Sequence, residues 1–237
     1  MFNFTLQLSM KKNYSKTNWL LLPFFFLCIM WIVKIVEFHY NITLVNYGVL
    51  PKTIEGLKGI FFSPFIHKDF THLINNSFPI LILGILLFFT YKKTALSIFF
   101  WLFFISGFWL WIIGRPSYHI GASGIIYSLA SFLFFSGVFS KNRQLIAISL
   151  VIIFSYGYLI WGIFPTNSNI SWEGHLTGLL AGLLVAFFYK NSGPEEKKYD
   201  WELEDEESNN GAKDKEIEIN YIIKKKKLVI FFYDSPV

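Results

Sequence analysis

Six strongly apolar stretches separated by short polar segments run along the chain, over residues 19–38, 73–91, 95–113, 122–139, 145–164 and 176–189. A helix crosses the hydrocarbon core with roughly 20 apolar residues, within a range of about 17 to 25. Five of the stretches therefore predict spanning helices. The sixth reaches spanning length only if the polar residues just before it continue the helix. The fourth and sixth differ from the rest in having glycine-rich, polar starts, "HIGASG" and "SWEGHLTG".

Composition agrees with this pattern. The 237 residues are 54% hydrophobic, 20% aromatic and 16% charged, with a mean hydropathy of +0.45, which is far from the balance of a soluble domain. Before residue 191 the acidic residues are only Glu37, Glu55, Asp69 and Glu173, and the others lie in the tail. The chain is thus predicted to be an all-α polytopic membrane protein. It divides into a cytoplasmic N-terminal segment (residues 1–18), a six-helix domain (19–190) and a cytoplasmic C-terminal tail (191–237). The tail is first acidic, then basic and apolar, a composition that favours partial disorder, and Lys224 to Lys227 suit an anionic leaflet. The single cysteine, Cys28, excludes an intramolecular disulfide and thiolate metal ligation. Lys11, Lys12 and Lys16 precede the first apolar stretch as in a signal peptide, but no small-residue cleavage site follows, so a retained helix is expected.

Basic residues set the orientation. Lys11, Lys12, Lys16, Lys92, Lys93, Lys141, Arg143 and Lys190 fall on one side of a six-span topology, which by the positive-inside rule is the cytoplasm. Both termini are then inside. The second, fourth and sixth helices start at the outer face, where their first turns hold His72 and Asn76, Ser123, and His175. Lys34 and Glu37 are the charged residues well inside a span, and snorkelling or a local i, i+3 pair accounts for them.

These polar groups suggest chemistry. Ser123 lies between Gly121 and Gly124, which permit sharp backbone geometry and close approach, at a helix start with free N–H groups. Its plainer role is a hydrogen bond within the helix, as expected of Ser128, Ser131 and Ser136. A nucleophilic serine needs a base. His175 precedes Gly178 and Gly182, a smooth ridge suited to contact with Gly124 and Ser128, so Ser123 and His175 are plausible neighbours. His72 and Asn76, at i and i+4, share a face and can donate towards a developing oxyanion, while His67 braces the preceding loop. A metal bound by His67, His72 and His175 fits by ligand type, but no carboxylate or cysteine completes a set. No third acid is evident, since Glu173 points away from His175 on a helix and Asp69 lies in a loop.

Three motifs in order, His67-x4-His72-x3-Asn76, Gly121-x-Ser123-Gly124, and His175 followed by Gly178 and Gly182, resemble those of the rhomboid family of intramembrane serine proteases over about residues 15 to 190. The resemblance implies a six-transmembrane-helix rhomboid-like bundle with Ser123 as nucleophile and His175 as general base. It further implies an oxyanion hole formed by the Ser123 N–H, His72 and Asn76 with Gly121 beside it, stacking of His175 on Tyr127, and a structural role for His67. Two positions depart from the family pattern: "GLKGIFF" replaces the Trp–Arg pair of the first loop, and Gly174 replaces an alanine before the histidine. The expected partners are single-span or polytopic membrane-protein substrates in a lipid bilayer, with no cofactor, metal or nucleic acid. A bacterial plasma membrane, with the site opening outward, is the expected location. A noncatalytic rhomboid-like protein that binds membrane clients is the main alternative, and a transporter or channel the further one.

Overall fold

The computed structural model describes residues 21–140, 142–165 and 170–194. Among these the chain is all helical, with seven α-helices and no strand. They are α1 (Leu21–His39), α2 (Gly59–Phe62), α3 (Phe70–Tyr91), α4 (Ala95–Ile113), α5 (Ser123–Phe139), α6 (Arg143–Tyr156) and α7 (Trp172–Phe188). A 3-10 segment, Gly157–Ile163, prolongs α6. Helices α1, α3, α4 and the combined Arg143–Ile163 are long and apolar enough to cross a bilayer, whereas the apolar α5 and α7 have 17 residues each. The predicted segment 1–18 and the tail beyond residue 194 lie outside the described residues.

The architecture is built around α5. Every residue from Ile125 to Leu133 is buried, so this helix is enclosed on all sides for more than two turns, as its unbroken small and apolar sequence allows. By contrast α1 turns Phe24, Phe25, Ile32 and Ile35 outward and buries Phe26 and Met30. Apolar residues on that outer face suit lipid.

Helix α7 packs on α5 through its glycines. A Cβ on Gly178 would overlap the Gly124 carbonyl oxygen, and one on Gly182 would overlap that of Ser128. The two backbones are therefore in direct contact, the arrangement that small residues permit between apolar helices. Ser131 Oγ adds an interhelical bond to the Leu179 carbonyl at 2.7 Å, whereas Ser128 and Ser136 bond carbonyls of their own helix.

Caps explain where the helices differ from the apolar pattern. The second span begins at Phe70 rather than residue 73 because Asp69 caps it, its Oδ1 accepting from the His72 N–H at 2.7 Å. The last begins at Trp172 rather than 176 because Ser171 caps it by accepting from the Gly174 N–H. The polar residues before the sixth apolar stretch thus do continue the helix. The fifth stretch is α-helical only to Tyr156 and finishes as a 3-10 segment.

The loop between α1 and α3 is held at both ends. Lys34 pairs with Glu37 at 3.2 Å, as the i, i+3 spacing suggests, and also donates to the carbonyls of His67 (2.9 Å) and Lys68 (3.0 Å). Glu37 Oε1 accepts from the Leu44 N–H at 2.7 Å. The charges inside α1 fasten both ends of that loop rather than snorkelling. Across the molecule, Val49 and His119 exchange two backbone bonds of 2.9 Å each.

Replacing Gly178 by valine is expected to force α5 and α7 apart and to lower stability by about 1–3 kcal/mol, the usual cost of overpacking, read as a reduced thermal midpoint in detergent. Valine at Gly157, whose Cβ would meet only the Ile153 side chain at 3.5 Å or more, is expected to leave the α5–α7 contact intact and to shift the midpoint less.

Candidate active site

The α5–α7 contact places two side chains from separate helices face to face. Ser123, the first residue of α5, has its Oγ 3.0 Å from His175 Nε2 in the first turn of α7. The other ring nitrogen, Nδ1, lies 2.9 Å from the Gly162 carbonyl oxygen. A carbonyl only accepts, so Nδ1 carries the hydrogen and donates it, which leaves Nε2 unprotonated and able to accept from the Ser123 hydroxyl. The backbone of the 3-10 segment thereby sets the tautomer that a general base requires.

His175 is also held by its face. The Tyr127 ring, one turn after Ser123, stacks on it with centroids 4.2 Å apart and planes 6° from parallel. Tyr127 is fixed in turn by its hydroxyl, which donates to the Leu159 carbonyl at 2.7 Å. Gly162 must stay small here, because a Cβ would overlap the Tyr127 hydroxyl and approach His175 Nδ1 to 3.0 Å.

Next to the serine, Gly121 has φ +105°, a region that favours glycine. A Cβ there would also lie 2.6 Å from Cε1 of the His72 ring, so the imidazole rests directly on the Gly121 backbone. The Gly121 N–H donates to the Ser63 carbonyl at 2.8 Å. His72 is half-buried and faces the buried His67, with ring centroids 5.0 Å apart. Asn76 is buried, and one of its amide hydrogens goes to the His72 carbonyl at 2.8 Å. The structure thus gathers Ser123, His175, Tyr127, Gly121, Gly124 and His72 at one place. His67 stands behind His72, Asn76 lies one turn further along α3, and Gly178 and Gly182 form the helix contact beneath.

Glu173 does not face His175. It is buried and pairs with Arg115 Nε at 3.5 Å, while Arg115 also donates to the Ile170 carbonyl. Two contributors escaped the sequence analysis. The Gly162 carbonyl is a backbone group with no residue signature of its own, although Pro165 three positions later gives a hint, since proline has no N–H to occupy that oxygen. His119 is the other: it is buried, with Nδ1 2.6 Å from Ser171 Oγ and Nε2 3.1 Å from the Arg115 carbonyl. A histidine in the short loop between two apolar stretches gives no local indication of this.

The family model for the Rhomboid domain matches residues 55–192. Uncharacterized proteins of Mycobacterium bovis and Mycobacterium tuberculosis are each 33% identical over 185 residues, covering 73% of this chain and 75% of theirs. An uncharacterized protein of Mycobacterium leprae is 31% identical over the same length, covering 73% of this chain and 71% of its own. With four helices among the described residues long and apolar enough to span, the match identifies an integral membrane protein.

His67 provides a test of the packing behind His72. It lies in the loop before α3, and burial, aided by the neighbouring His72 ring, lowers its pKa from 6.5 to about 4. The unfolded chain takes up this proton near the ordinary value, so the unfolded state binds more protons throughout the interval between the two values. The His67 contribution to stability is therefore complete above about pH 6.5, and it falls with pH down to about 4. Thermal unfolding in detergent across this range is expected to show a steeper loss for the wild type than for His67→Gln.

Proposed function

Because the chain belongs to the rhomboid family, we propose that it is an intramembrane serine endopeptidase that cleaves membrane proteins within or near their spans. Its domain covers residues 19–190 and crosses the bilayer six times, α5 and α7 serving as the two shorter spans. Both termini face the cytoplasm, and the site opens to the outer side of a bacterial plasma membrane. The observation that carries this reading is the directed chain from the Gly162 carbonyl through His175 to the Ser123 hydroxyl.

In this reaction Ser123 Oγ attacks the scissile carbonyl carbon while His175 Nε2 takes the hydroxyl proton. The Nδ1–H bond to Gly162 keeps the imidazole oriented as it becomes an imidazolium. The oxygen that gains charge is received by the Ser123 N–H, free because the first N–H groups of a helix have no intrahelical acceptor, together with His72 and Asn76. His175 then protonates the leaving amine, and water attacks the acyl-enzyme with His175 again as base. No carboxylate assists. A backbone carbonyl orients the base without burying a further charge, which at membrane depth is costly.

The dimensions of α5 suit a recessed site. Its 17 residues extend about 26 Å, less than the roughly 30 Å hydrocarbon core, so Ser123 at its start sits below the outer surface. A helical substrate must unwind there to expose a carbonyl. Segments with glycine, alanine or serine near the cut, which yield their helical hydrogen bonds readily or have small side chains, are the preferred substrates.

Purified wild-type protein is expected to cut a single-span model substrate with a Gly/Ala-rich outer segment and to react with a fluorophosphonate probe, and Ser123→Ala is expected to do neither. His72→Ala is expected to lower turnover by about 10²–10³, the effect of losing one oxyanion donor. Absence of both cutting and labelling in the wild type would instead favour a client-binding protein.

A further inference from the structure

His119 joins the segments that lead into the two reacting residues. It precedes Ser123 by four residues, and its ring bonds Ser171, which precedes His175 by four. The direction of this bond follows from its neighbours. Nε2 faces the Arg115 carbonyl at 3.1 Å and therefore carries the hydrogen. Nδ1 is then bare and accepts from the Ser171 hydroxyl at 2.6 Å. The lone pairs of that hydroxyl remain available to the Gly174 N–H at 3.2 Å, and the Ser171 carbonyl accepts the N–H of His175 itself at 3.2 Å. Ser171 thus connects the His119 ring to the first turn of α7.

The other side of His119 is equally fixed. Its N–H and carbonyl bond Val49 at 2.9 Å each, and two residues on, Gly121 bonds Ser63. His119 is 3% exposed, and burial lowers its pKa from the ordinary value, consistent with the neutral, accepting Nδ1 that the hydrogen bonds require.

Building on the proposed peptidase activity, we propose that His119 is a positioning residue: its imidazole fixes the spacing between the starts of α5 and α7, and so holds Ser123 Oγ within reach of His175 Nε2. The glycine ridge determines how closely the helices pack along their length. It does not fix how they are shifted relative to one another at the outer end, where the reacting atoms lie, and the His119–Ser171 bond does.

The test uses the full chain in detergent at about pH 8, where histidine is neutral. Fluorophosphonate labelling rates and the kcat and KM for cleavage would be measured for wild type, Ser123→Ala, His119→Phe, His119→Asn, Ser171→Ala and the His119→Phe/Ser171→Ala double variant. A displacement of about 1 Å can cost about 10²-fold in rate, so His119→Phe is expected to lower kcat and labelling by at least about tenfold. KM should stay within about twofold, as befits a loss confined to the reaction step. His119→Asn, whose side-chain carbonyl can accept from Ser171, is expected to recover most of the rate. The double variant should be no slower than Ser171→Ala, which breaks the bond to His119 together with the cap on the Gly174 N–H, because the two changes share the His119–Ser171 bond.

Wild-type rates in a folded His119→Phe protein, or losses that multiply in the double variant, would overturn the proposal. If His119→Phe does not fold, Ser171→Gly decides. Glycine is well tolerated at a helix N-cap but offers no hydroxyl to Nδ1, so a reduced rate supports the tie and a full rate overturns it. A wild type that fails to label alongside Ser123→Ala would overturn the peptidase reading itself, an outcome distinct from equal labelling of wild type and His119→Phe.

Discussion

The contact of α7 backbone on α5 backbone is the constraint on which the remaining features depend. Gly178 lies on the Gly124 carbonyl and Gly182 on that of Ser128, so the helix axes approach more closely than side chains of ordinary size allow. Without this approach, a serine and a histidine on separate helices would not come within 3.0 Å of each other. The same closeness explains the burial of α5, whose enclosed residues are small or apolar over most of its length. It also explains why Ser128, Ser131 and Ser136 on α5 bond to carbonyls, since a hydroxyl left unsatisfied in so tight a contact would be destabilising.

Charge is handled by a complementary rule. The buried ionic groups among the described residues sit at the ends of helices, and the Lys34–Glu37 and Arg115–Glu173 pairs serve loops rather than the reacting centre. Lys34 and Glu37 fasten the loop after α1, and Arg115 with Glu173 fastens the start of α7. Around Ser123 and His175 the orienting groups are carbonyls, a stacked phenol ring and a neutral imidazole. An additional carboxylate would require its own desolvation in a region where that is expensive. A peptide carbonyl is already present and already dipolar, and it is aligned by the fold.

What could be read from the sequence follows the same division. Apolar stretches reveal helices, and glycines at four-residue spacing reveal a contact ridge, because both are properties of side chains repeated along one element. The apolar pattern starts the second and last spans late, at residues 73 and 176, since Asp69 and Ser171 cap polar turns that carry no apolar signal. The motifs around Ser123, His175 and His72 were recognisable by residue type and order. The Gly162 and Leu159 carbonyls were not, because every residue has a carbonyl and only the fold decides which one faces inward. His119 escaped for a related reason. Its significance lies in a bond to Ser171, 52 positions away in sequence, and nothing local announces it.

The 3-10 end of the sixth helix shows how a break in regular structure supplies a functional acceptor. In a continuing 3-10 turn the Gly162 carbonyl would accept from the N–H of residue 165, but that residue is proline, which has none. Proline also biases the residue before it towards extended backbone, and Phe164 is extended, with φ −94° and ψ 146°. The helix therefore ends there with the Gly162 oxygen unclaimed by its own segment, and His175 Nδ1 claims it. Gly162 has to lack a side chain so that Tyr127 and His175 can stack beside it. One glycine and one proline, three residues apart in an apolar stretch that otherwise reads as a plain membrane span, thus leave the acceptor free and the space open for the base.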